Sequence, residues 1–261
     1  MVWAVVVTHN RKDLLSECLR ALLAQTRRPD HILVVDNAST DGTPELVRLQ
    51  FGDEAQLLAL AENRGGAGGF HAGLVAAHAA GADWTWLMDD DTIPRPDALS
   101  ALLEAPGRLE GVARPLLLSS RAVWTDGRLH PMNEPLFKRD PESFIDSCDR
   151  GFVPLRMATF VSLLVHRDAV DRFGLPLAHY FIWSDDVEYT ARVLRDDDGF
   201  FVPESVVEHR TKQPYTAVTE SGGRYYFHVR NSLYMLRSRG WSLREKASLV
   251  WALWYSTKEY L

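Results

Sequence analysis

The sequence contains little cysteine, no excess of basic residues and no long apolar run. Its 261 residues include two cysteines, Cys18 and Cys148, and neither belongs to a CxxC pair or a Cys/His cluster, so nothing suggests a zinc site. Such sparse cysteine usage favours a reducing, cytoplasmic setting. The net charge of −6 argues against a nucleic-acid-binding protein, which usually carries a basic surplus.

No stretch of the sequence approaches the roughly 18 apolar residues that a membrane-spanning helix needs. The first apolar run, residues 2–7, is too short for a signal peptide and has no basic residues before it. A hydrophobic share of 46% and a charged share of 25% are those of an ordinary globular protein. The length suits one large domain or two modest ones.

Strand-like and helix-like patterns alternate through the first half of the chain. Runs of β-branched and aliphatic residues predict strands at residues 2–7, 31–36, 57–60, 84–88, 112–118 and 158–166. Apolar residues at helical spacing separate the first of these runs. This alternation predicts an α/β fold with a mostly parallel sheet flanked by helices. We expect residues 119–157 to form a long excursion, and residues 225–239 and 242–257 to form a C-terminal helical extension.

Three consecutive aspartates, Asp89 to Asp91, follow the fourth predicted strand. Ligands of open parallel sheets lie beyond the carboxyl ends of the strands, and Asp36 ends another strand of this set. In an extended segment Asp89 and Asp91 project to one side and Asp90 to the other. Two convergent carboxylates suit Mg²⁺ or Mn²⁺, completed by substrate phosphates. The alternatives are a solvated acidic turn and a phosphatase DxDx[TV] motif, which Ile93 at its fifth position does not fit.

The glycine-rich segment ENRGGAGGFHAG spans residues 62–73. It satisfies neither the GxGxxG nor the GxxxxGK[ST] fingerprint. Its backbone amides are expected to approach a phosphate closely, with Arg64 beside them. The alternative is close packing of a helix through its small residues.

A second acidic pair, Asp185 and Asp186, follows Trp183. Asp185 in an N-cap and Glu188 in the first turn of a helix would explain the acids structurally. An aromatic ring beside two carboxylates is also typical of sugar binding, because the ring covers the apolar face of the sugar while a carboxylate accepts a hydroxyl proton. His209 ends a later strand, where a neutral imidazole is suited to completing a metal site.

Taken together, NRGGAGGF, WLMDDD, WSDDVEY and His209 resemble the family 2 glycosyltransferases, over about residues 2–212. The combination is most similar to the galactofuranosyltransferases of actinobacteria and their rhamnosyltransferase relatives. The resemblance implies a Rossmann-like GT-A fold. It divides the chain into a catalytic domain at residues 1–215, with a nucleotide-binding half at 1–118 and an acceptor half at 119–215, and a helical segment at 216–261.

The resemblance also implies roles for individual residues. Asp186 would be the general base, although Ser184 in front of the acidic pair leaves open whether Asp185 takes that role. Asp89, Asp91 and His209 would hold Mn²⁺ or Mg²⁺. The residues implied in acceptor binding are Trp183, Asp185 and Glu188. The residues implied in donor binding are Thr8, His9, Asn10, Asp36, Arg64, Gly65, Gly66 and Asp90.

The reaction implied by the resemblance is inverting and metal-dependent. An acceptor hydroxyl would attack the anomeric carbon of UDP-galactofuranose, or alternatively of dTDP-rhamnose, in line with the departing nucleoside diphosphate. The acceptor would be a glycan or a polyprenyl-linked glycan. A sugar-phosphate nucleotidyltransferase would carry a glycine-rich motif with Arg and Lys after its first strand, where this chain has THNRKD. An inactive carbohydrate-binding scaffold is the third reading.

The last segment, RSRGWSLREKASLVWALWYSTKEYL, mixes basic and aromatic residues. One interpretation is an amphipathic helix on the inner face of the cell membrane, near a lipid-linked acceptor. The others are a helix packed on the catalytic domain and a contact between two copies of the chain.

Overall fold

A computed structural model describes residues 1–138, 140–213 and 224–260 of the chain. The strands in these residues are β1 (Val2–Thr8), β2 (His31–Asp36), β3 (Gln56–Ala59), β4 (Trp84–Asp89), β5 (Thr92–Pro94), β6 (Leu117–Val123), β7 (Leu136–Phe137), β8 (Val153–Met157), β9 (Leu163–His166) and β10 (Gly199–His209). The helices are α1 (Lys12–Leu23), α2 (Thr43–Gln50), α3 (Gly65–Ala79), α4 (Ala98–Arg108), α5 (Pro141–Asp149), α6 (Arg167–Phe173), α7 (Asp185–Val193), α8 (Tyr225–Arg237) and α9 (Leu243–Tyr260).

The strands form a mixed, mostly parallel sheet in the order β3-β2-β1-β4-β9-β6-β10-β8-β7, with β5 paired to β10. Strands β1 to β4 are mutually parallel, as the alternating sequence pattern predicts. Strand β9 runs antiparallel between β4 and β6, while β6 and β10 are parallel to each other. The predicted α/β sheet flanked by helices is therefore confirmed, with an antiparallel insertion near its middle.

Strand β1 is buried on both faces, which explains its unbroken apolar sequence. Ala4 and Val6 belong to the core that faces α1 and α4. Val5 and Val7 belong to the core that faces α3 and α7. Burying each valine side chain contributes about 1.5–3 kcal/mol. This central strand fixes the position of its polar end, Thr8, against both helical layers.

Helix α3 lies close against β1 because glycines face the strand. A Cβ built on Gly69 would lie 2.4 Å from Cγ1 of Val7, and one built on Gly73 would lie 2.3 Å from Cγ1 of Val5. Side chains at these positions would push the helix off the sheet. The small residues of the glycine-rich segment are thus used for packing, the alternative that the sequence left open, while the start of the helix still faces the site.

The first two glycines of α3 provide a matched pair for mutagenesis. Gly65 has φ +69°, and a Cβ there would lie 1.9 Å from the carbonyl oxygen of Phe181, whereas a Cβ on Gly66 meets nothing within 4 Å. We expect Gly65→Ala to lower the free energy of unfolding by about 2–4 kcal/mol, since strained backbone and overpacking add. Gly66→Ala is expected to stay within about 0.5 kcal/mol. Urea unfolding of both variants tests this, and equal stabilities would contradict it.

Two strands begin later in the chain than the sequence predicted. The strand predicted at 112–118 is β6, which begins at Leu117, because Pro115 has no N–H to donate to a sheet ladder. The strand predicted at 158–166 shortens to β9 because Ser162 adopts φ 62°. Residues 119–157 are not a simple excursion, since they hold most of β6, all of β7 and α5, and β8. The predicted boundary at 215/216 lies outside the described residues.

Helices α8 and α9 pack against each other and correspond to the two predicted C-terminal helices. Trp251 and Trp254 of α9 are 64% and 60% exposed. In the part of the chain that the structure describes, no helix is long and apolar enough to cross a bilayer.

Candidate active site

The carboxyl ends of β1, β4 and β10 bring three polar segments to one edge of the sheet. Val7 pairs with Asp89 across the β1–β4 ladder. His209 pairs with Thr92 of β5, and the amide of Arg210 donates to the carbonyl oxygen of Asp91 at 2.8 Å. The antiparallel pairing of β5 with β10 thus places His209 beside the acidic triplet, although 118 residues separate it from Asp91 in the sequence.

The three aspartates differ in their contacts. Asp90 is buried and accepts from Thr8 Oγ1 at 2.7 Å and from Arg11 at 3.3 Å. Asp91 is buried, and its Oδ2 accepts from Arg11 at 2.6 Å. Asp89, Asp91 and His209 offer ligand atoms that lie within 4.8 Å of one another. Asp89 and Asp91 converge with His209 as expected, but Asp90 and Asp91 lie in the turn after β4 and are not extended, and Asp90 contacts Thr8 of β1.

The electrostatics of the triplet differ from residue to residue. Burial and repulsion from Asp91 and Asp90 raise the pKa of Asp89 well above its usual value. Burial also raises the pKa of Asp90 to about 6, although Arg11 opposes the shift. Burial alone would raise the pKa of Asp91, but His209 and Arg11 outweigh it, and the pKa is lowered. Of the three carboxylates, Asp89 therefore has an ionised form that its protein surroundings disfavour strongly, whereas the ionised form of Asp91 is favoured.

One atom of the cluster tests whether these residues fit a divalent cation. Oδ1 of Asp91 is buried and has no hydrogen-bond partner. It lies 3.3 Å from Nε2 of His209. A buried carboxylate oxygen without a donor is costly. Two carboxylates and an imidazole form a donor set suited to Mn²⁺ or Mg²⁺, so Asp89, Asp91 and His209 fit the ion that the sequence predicts.

Asn133 sets the tautomer of His209. Its Oδ1 lies 2.7 Å from Nδ1 of His209, and its Nδ2 donates to Oγ1 of Thr159 at 2.9 Å. Because an amide oxygen only accepts, Nδ1 of the imidazole must carry the proton. Nε2 of the ring then faces Oδ1 of Asp91 at 3.3 Å, and either its own proton or a bound cation would lie between the two atoms.

Asn133 is therefore expected to control cation affinity without being a ligand. Asn133→Leu should weaken Mn²⁺ binding about 10- to 100-fold, because the ring loses its orienting partner. Asn133→Asp keeps an acceptor for Nδ1–H and should bind Mn²⁺ at least as well as the unmodified protein. Titration of Mn²⁺ followed by electron paramagnetic resonance measures both. Equal loss in the two variants would show that only packing at this position matters.

The second acidic pair lies at the start of α7, directly after a loop in which several residues have positive φ. Phe181, Trp183 and Ser184 have φ of 66°, 64° and 68°. Ser184, and not Asp185 as the sequence suggested, is the N-cap residue of the helix. This change leaves both aspartates in the first helical turn, where the positive end of the helix dipole favours carboxylates.

The two carboxylates of α7 have raised pKa values. Burial raises the pKa of Asp186 to about 6, with backbone amides opposing the shift. Burial and repulsion from Asp186 raise the pKa of Asp185 well above its usual value. Asp186 is partly exposed to the pocket, while Asp185 is 5% exposed. A group with pKa near 6 is ionised at neutral pH yet basic enough to take a proton.

A cavity of about 590 Å³ joins the triplet to these carboxylates. Most of the predicted site residues line it. Those that line it are Thr8, His9, Gly65, Gly66, Asp89, Asp90, Asp91, Trp183, Asp185, Asp186 and His209. One continuous space therefore contains the predicted donor, cation and acceptor residues.

Four predicted residues lie outside the cavity lining. Glu188 is buried against Arg192 and accepts from Ser238, so its predicted acceptor contact is replaced by a structural ion pair. The guanidinium of Arg64 faces Glu62 at 3.7 Å. Asn10 is exposed, and its Oδ1 accepts from the amide of Thr40.

The fourth, Asp36, is 1% exposed and accepts from the amide of Ser39 at 3.2 Å. Its Oδ1 has no hydrogen-bond partner. The next residue, Asn37, does line the cavity and ties β2 to α3 by donating to the carbonyl oxygen of Gly65 at 2.7 Å.

Sequence reasoning missed several residues that line the cavity. Arg11 neutralises part of the triplet, and its place just after β1 was the available signal. Asn133 comes from the turn before β7, Arg224 immediately precedes α8, and His228 lies within α8. The guanidinium of Arg224 lies 5.4 Å from the centre of the Trp183 ring. No spacing rule connects these distant segments to the sheet edge.

Residues 3–153 match the family profile described as Glycosyl transferase family 2. The chain belongs to glycosyltransferase family 2. The match includes β1 to β4 and the aspartate triplet, and it ends at the start of β8.

Curated family 2 relatives extend the similarity over most of the chain. Galactofuranosyltransferase GlfT1 of Mycolicibacterium smegmatis is 33% identical over 201 residues, which are 75% of this chain and 66% of the relative. The GlfT1 protein of Mycobacterium tuberculosis is 30% identical over 264 residues, 96% of this chain and 86% of the relative. The M. tuberculosis N-acetylglucosaminyl-diphospho-decaprenol L-rhamnosyltransferase is 26% identical, covering 95% of this chain and 88% of the relative.

Solved structures share the fold of this family 2 chain. The S. aureus TarS fragment 1–349 in complex with UDP-GlcNAc has a TM-score of 0.64 at 13% identity, covering 99% of this chain and 73% of TarS. GalNAc-T7 with UDP, GalNAc and Mn²⁺ has a TM-score of 0.64 at 13% identity, covering 83% of this chain and 44% of GalNAc-T7. At these identities the likeness establishes the GT-A fold.

Proposed function

We propose that this family 2 glycosyltransferase is a metal-dependent, inverting enzyme that transfers galactofuranose from UDP-galactofuranose to a hydroxyl of a glycan or lipid-linked glycan. The observation that carries the proposal is the set of residues around one cavity. Three possible cation ligands, Asp89, Asp91 and His209, share the cavity with Asp186, whose pKa is about 6, and Oδ1 of Asp91 has no hydrogen-bond partner. Membership of the family supplies the reaction class.

The donor would lie along the carboxyl ends of β1 and β2 and the start of α3. The start of α3 favours negative charge, as helix N-termini do for phosphates. His9 lines the cavity and is oriented by its Nδ1, 2.8 Å from the carbonyl oxygen of Asn37.

A bound divalent cation would neutralise the charge that develops on the departing nucleoside diphosphate. Asp89, Asp91 and His209 would hold it, while Arg11 keeps Asp91 ionised. Asp186 would accept the proton of the acceptor hydroxyl as that oxygen attacks the anomeric carbon. Trp183 would place its ring against the acceptor sugar. Asp185, whose pKa is also raised, would contact the acceptor beside Asp186.

The choice of UDP-galactofuranose as the donor rests on the sequence similarity to the relatives described above. Identity to the two GlfT1 proteins is 30% and 33%, against 26% for the rhamnosyltransferase. The rhamnosyltransferase similarity still covers 95% of this chain, so dTDP-rhamnose is the second candidate. That rhamnosyltransferase is named for N-acetylglucosaminyl-diphospho-decaprenol, a lipid-linked sugar, which supports a lipid-linked acceptor here as well.

A peripheral position at the inner face of the membrane is part of the same proposal. Trp251, Trp254 and Tyr255 are 64%, 60% and 47% exposed along α9. Nζ of Lys258 lies 5.7 Å from the centre of the Trp254 ring. Aromatic and basic side chains on one helix are typical of interfacial binding. Sedimentation with anionic vesicles should bring down the protein, and Trp251→Ser together with Trp254→Ser should abolish that.

The deciding experiment is calorimetric titration of UDP and of dTDP, with Mn²⁺ and with a chelator. We expect micromolar binding of UDP that requires the cation, followed by cation-dependent release of UDP from UDP-galactofuranose. Tighter binding of dTDP than of UDP would instead favour dTDP-rhamnose as the donor. Absence of binding by both nucleotides, in protein shown to be folded, would refute the enzyme and favour the inactive scaffold.

A further inference from the structure

A buried asparagine of α8 holds the loop that leads into α7. The side-chain nitrogen of Asn231, which is 0% exposed, donates to the carbonyl oxygens of Tyr180, Ile182 and Trp183 at 3.1, 2.7 and 2.8 Å. Its two N–H groups are shared among three acceptors that stand almost consecutively in the chain. These carbonyls point inward as a result, toward a helix that belongs to the C-terminal segment.

The orientation of the Asn231 amide is itself fixed. Its Oδ1 accepts from Nε and Nη2 of Arg230 at 3.0 and 2.9 Å. Nη2 of Arg230 also donates to the carbonyl oxygens of His179 and Tyr180 at 3.1 and 2.5 Å. The two neighbouring side chains therefore bind four carbonyl oxygens of residues 179–183 with charge-assisted and neutral hydrogen bonds.

The loop needs such support because its backbone is unfavourable. Phe181, Trp183 and Ser184 are all in the left-handed region, where side chains with a Cβ are rare. Strained segments of this kind persist only where their surroundings determine them. On its other side, the carbonyl oxygen of Phe181 accepts from the amide of Ala67 at 3.1 Å, so the loop is held between α8 and α3.

We propose that Asn231 is a positioning residue of the active site. By fixing the carbonyls of residues 180–183, it directs the Trp183 ring into the cavity and sets the start of α7, and hence the direction of Asp186. The role of Asp186 rests on the proposed function, whereas the constraint on the loop does not. The family profile ends at residue 153, so this part of the site lies beyond the matched region.

Asn231→Asp tests the proposal with little change of shape. The aspartate lacks both N–H donors and would place a carboxylate oxygen opposite the carbonyls. Ser232→Ala is the matched control, since Ser232 is also buried but donates within its own helix, to the carbonyl oxygen of His228 at 2.8 Å. The readouts are amide hydrogen exchange of residues 180–188, UDP affinity with Mn²⁺, and kcat and KM for turnover of UDP-galactofuranose.

We expect Asn231→Asp to speed exchange in residues 180–188 at least about tenfold, since local opening becomes easier. UDP affinity and the donor KM should stay within about threefold, while kcat falls about 10²-fold, as small displacements of reacting groups produce. Ser232→Ala should behave like the unmodified protein. Unchanged exchange or unchanged kcat in folded Asn231→Asp would overturn the proposal.

Two further outcomes are distinguishable. If the unmodified protein neither binds UDP nor consumes the donor, the proposed function fails, and the exchange comparison still decides whether Asn231 holds the loop. If Asn231→Asp does not fold, Asn231→Ala removes the donors without adding a charge and takes its place in every comparison.

Discussion

Asp186→Asn is expected to reduce sugar transfer by about 10²- to 10⁴-fold, the usual contribution of a general base. Asparagine has almost the same shape and accepts the hydrogen bond that the amide of Val187 donates to Asp186 at 2.7 Å. It cannot take a proton from an acceptor hydroxyl. Because the proposed function places the acceptor at Asp186, UDP affinity with Mn²⁺ should be unchanged. Steady-state kinetics and calorimetry measure the two effects separately.

The pH dependence gives a second measure of the same group. Burial raises the pKa of Asp186 to about 6, so the ionised base is lost as the pH falls through that value. We expect kcat to decrease tenfold per pH unit below about pH 6 and to level off above pH 7. The pKa of Asp90 is also about 6, and UDP affinity measured over the same pH range separates a donor-side effect from loss of the base.

The matched control is Asp53→Asn, which replaces an exposed carboxylate in the turn after α2. It should leave both kcat and UDP affinity unaltered. Loss of UDP binding in folded Asp186→Asn would refute the assignment of the base. A normal rate in that variant, together with a large loss in Asp185→Asn, would transfer the role to the neighbouring aspartate.

Asp89→Asn is expected to abolish cation-dependent UDP binding and, without metal, to make the protein more stable. The pKa of Asp89 is raised by burial and by Asp91 and Asp90, so its ionised form opposes folding at neutral pH. A neutral amide removes that penalty, and we expect a gain of about 1 kcal/mol. This corresponds to about 2–4 °C in Tm for a chain of this size.

The sign of this effect depends on pH and on metal. A carboxyl group with a raised folded-state pKa lowers stability only where it would ionise in the unfolded chain. The gain should therefore be present at pH 7 and vanish below about pH 4. Mn²⁺ should raise the Tm of the unmodified protein and leave Asp89→Asn unchanged, since binding to the folded state stabilises it. Thermal unfolding under these four conditions is the measurement.

Asp90→Asn serves as the control from within the triplet. Asp90 faces Thr8 and Arg11 and does not belong to the cluster of possible ligands. Its substitution should leave the Mn²⁺-induced rise in Tm intact. If Asp89→Asn still binds Mn²⁺ while Asp90→Asn does not, the ligand assignment within the triplet is wrong.

The parallel half of the sheet was predictable because its signals are local. Apolar strands separated by helical patterns specify β1 to β4, and polar residues at their carboxyl ends mark the edge where ligands bind. The two-residue period of an extended chain predicted the convergence of Asp89 and Asp91, although the structure achieves it through the turn between β4 and β5. These features need only the sequence near each residue.

The remainder of the site depends on pairings between distant segments. His209 reaches Asp91 only because β5 pairs antiparallel with β10, and Asn133 reaches His209 from a short helical turn. The left-handed residues Phe181, Trp183 and Ser184 are not glycines, so composition gave no indication of the loop. Glu188 was predicted to bind the acceptor, and the sequence alone gave no sign that its side chain is buried in an ion pair with Arg192.

The contacts of α8 determine where the chain can be joined to new sequence without loss of the site. Arg224, His228 and Asn231 belong to the segment that sequence reasoning separated from the catalytic domain, yet Arg224 and His228 line its cavity and Asn231 binds the loop before α7. A recombination event or an engineered fusion that joins new sequence at residue 215 would part the loop before α7 from the helix that holds it. Exchange of modules between such enzymes is therefore expected to succeed at junctions beyond α8, and to yield inert chimaeras at junctions before it.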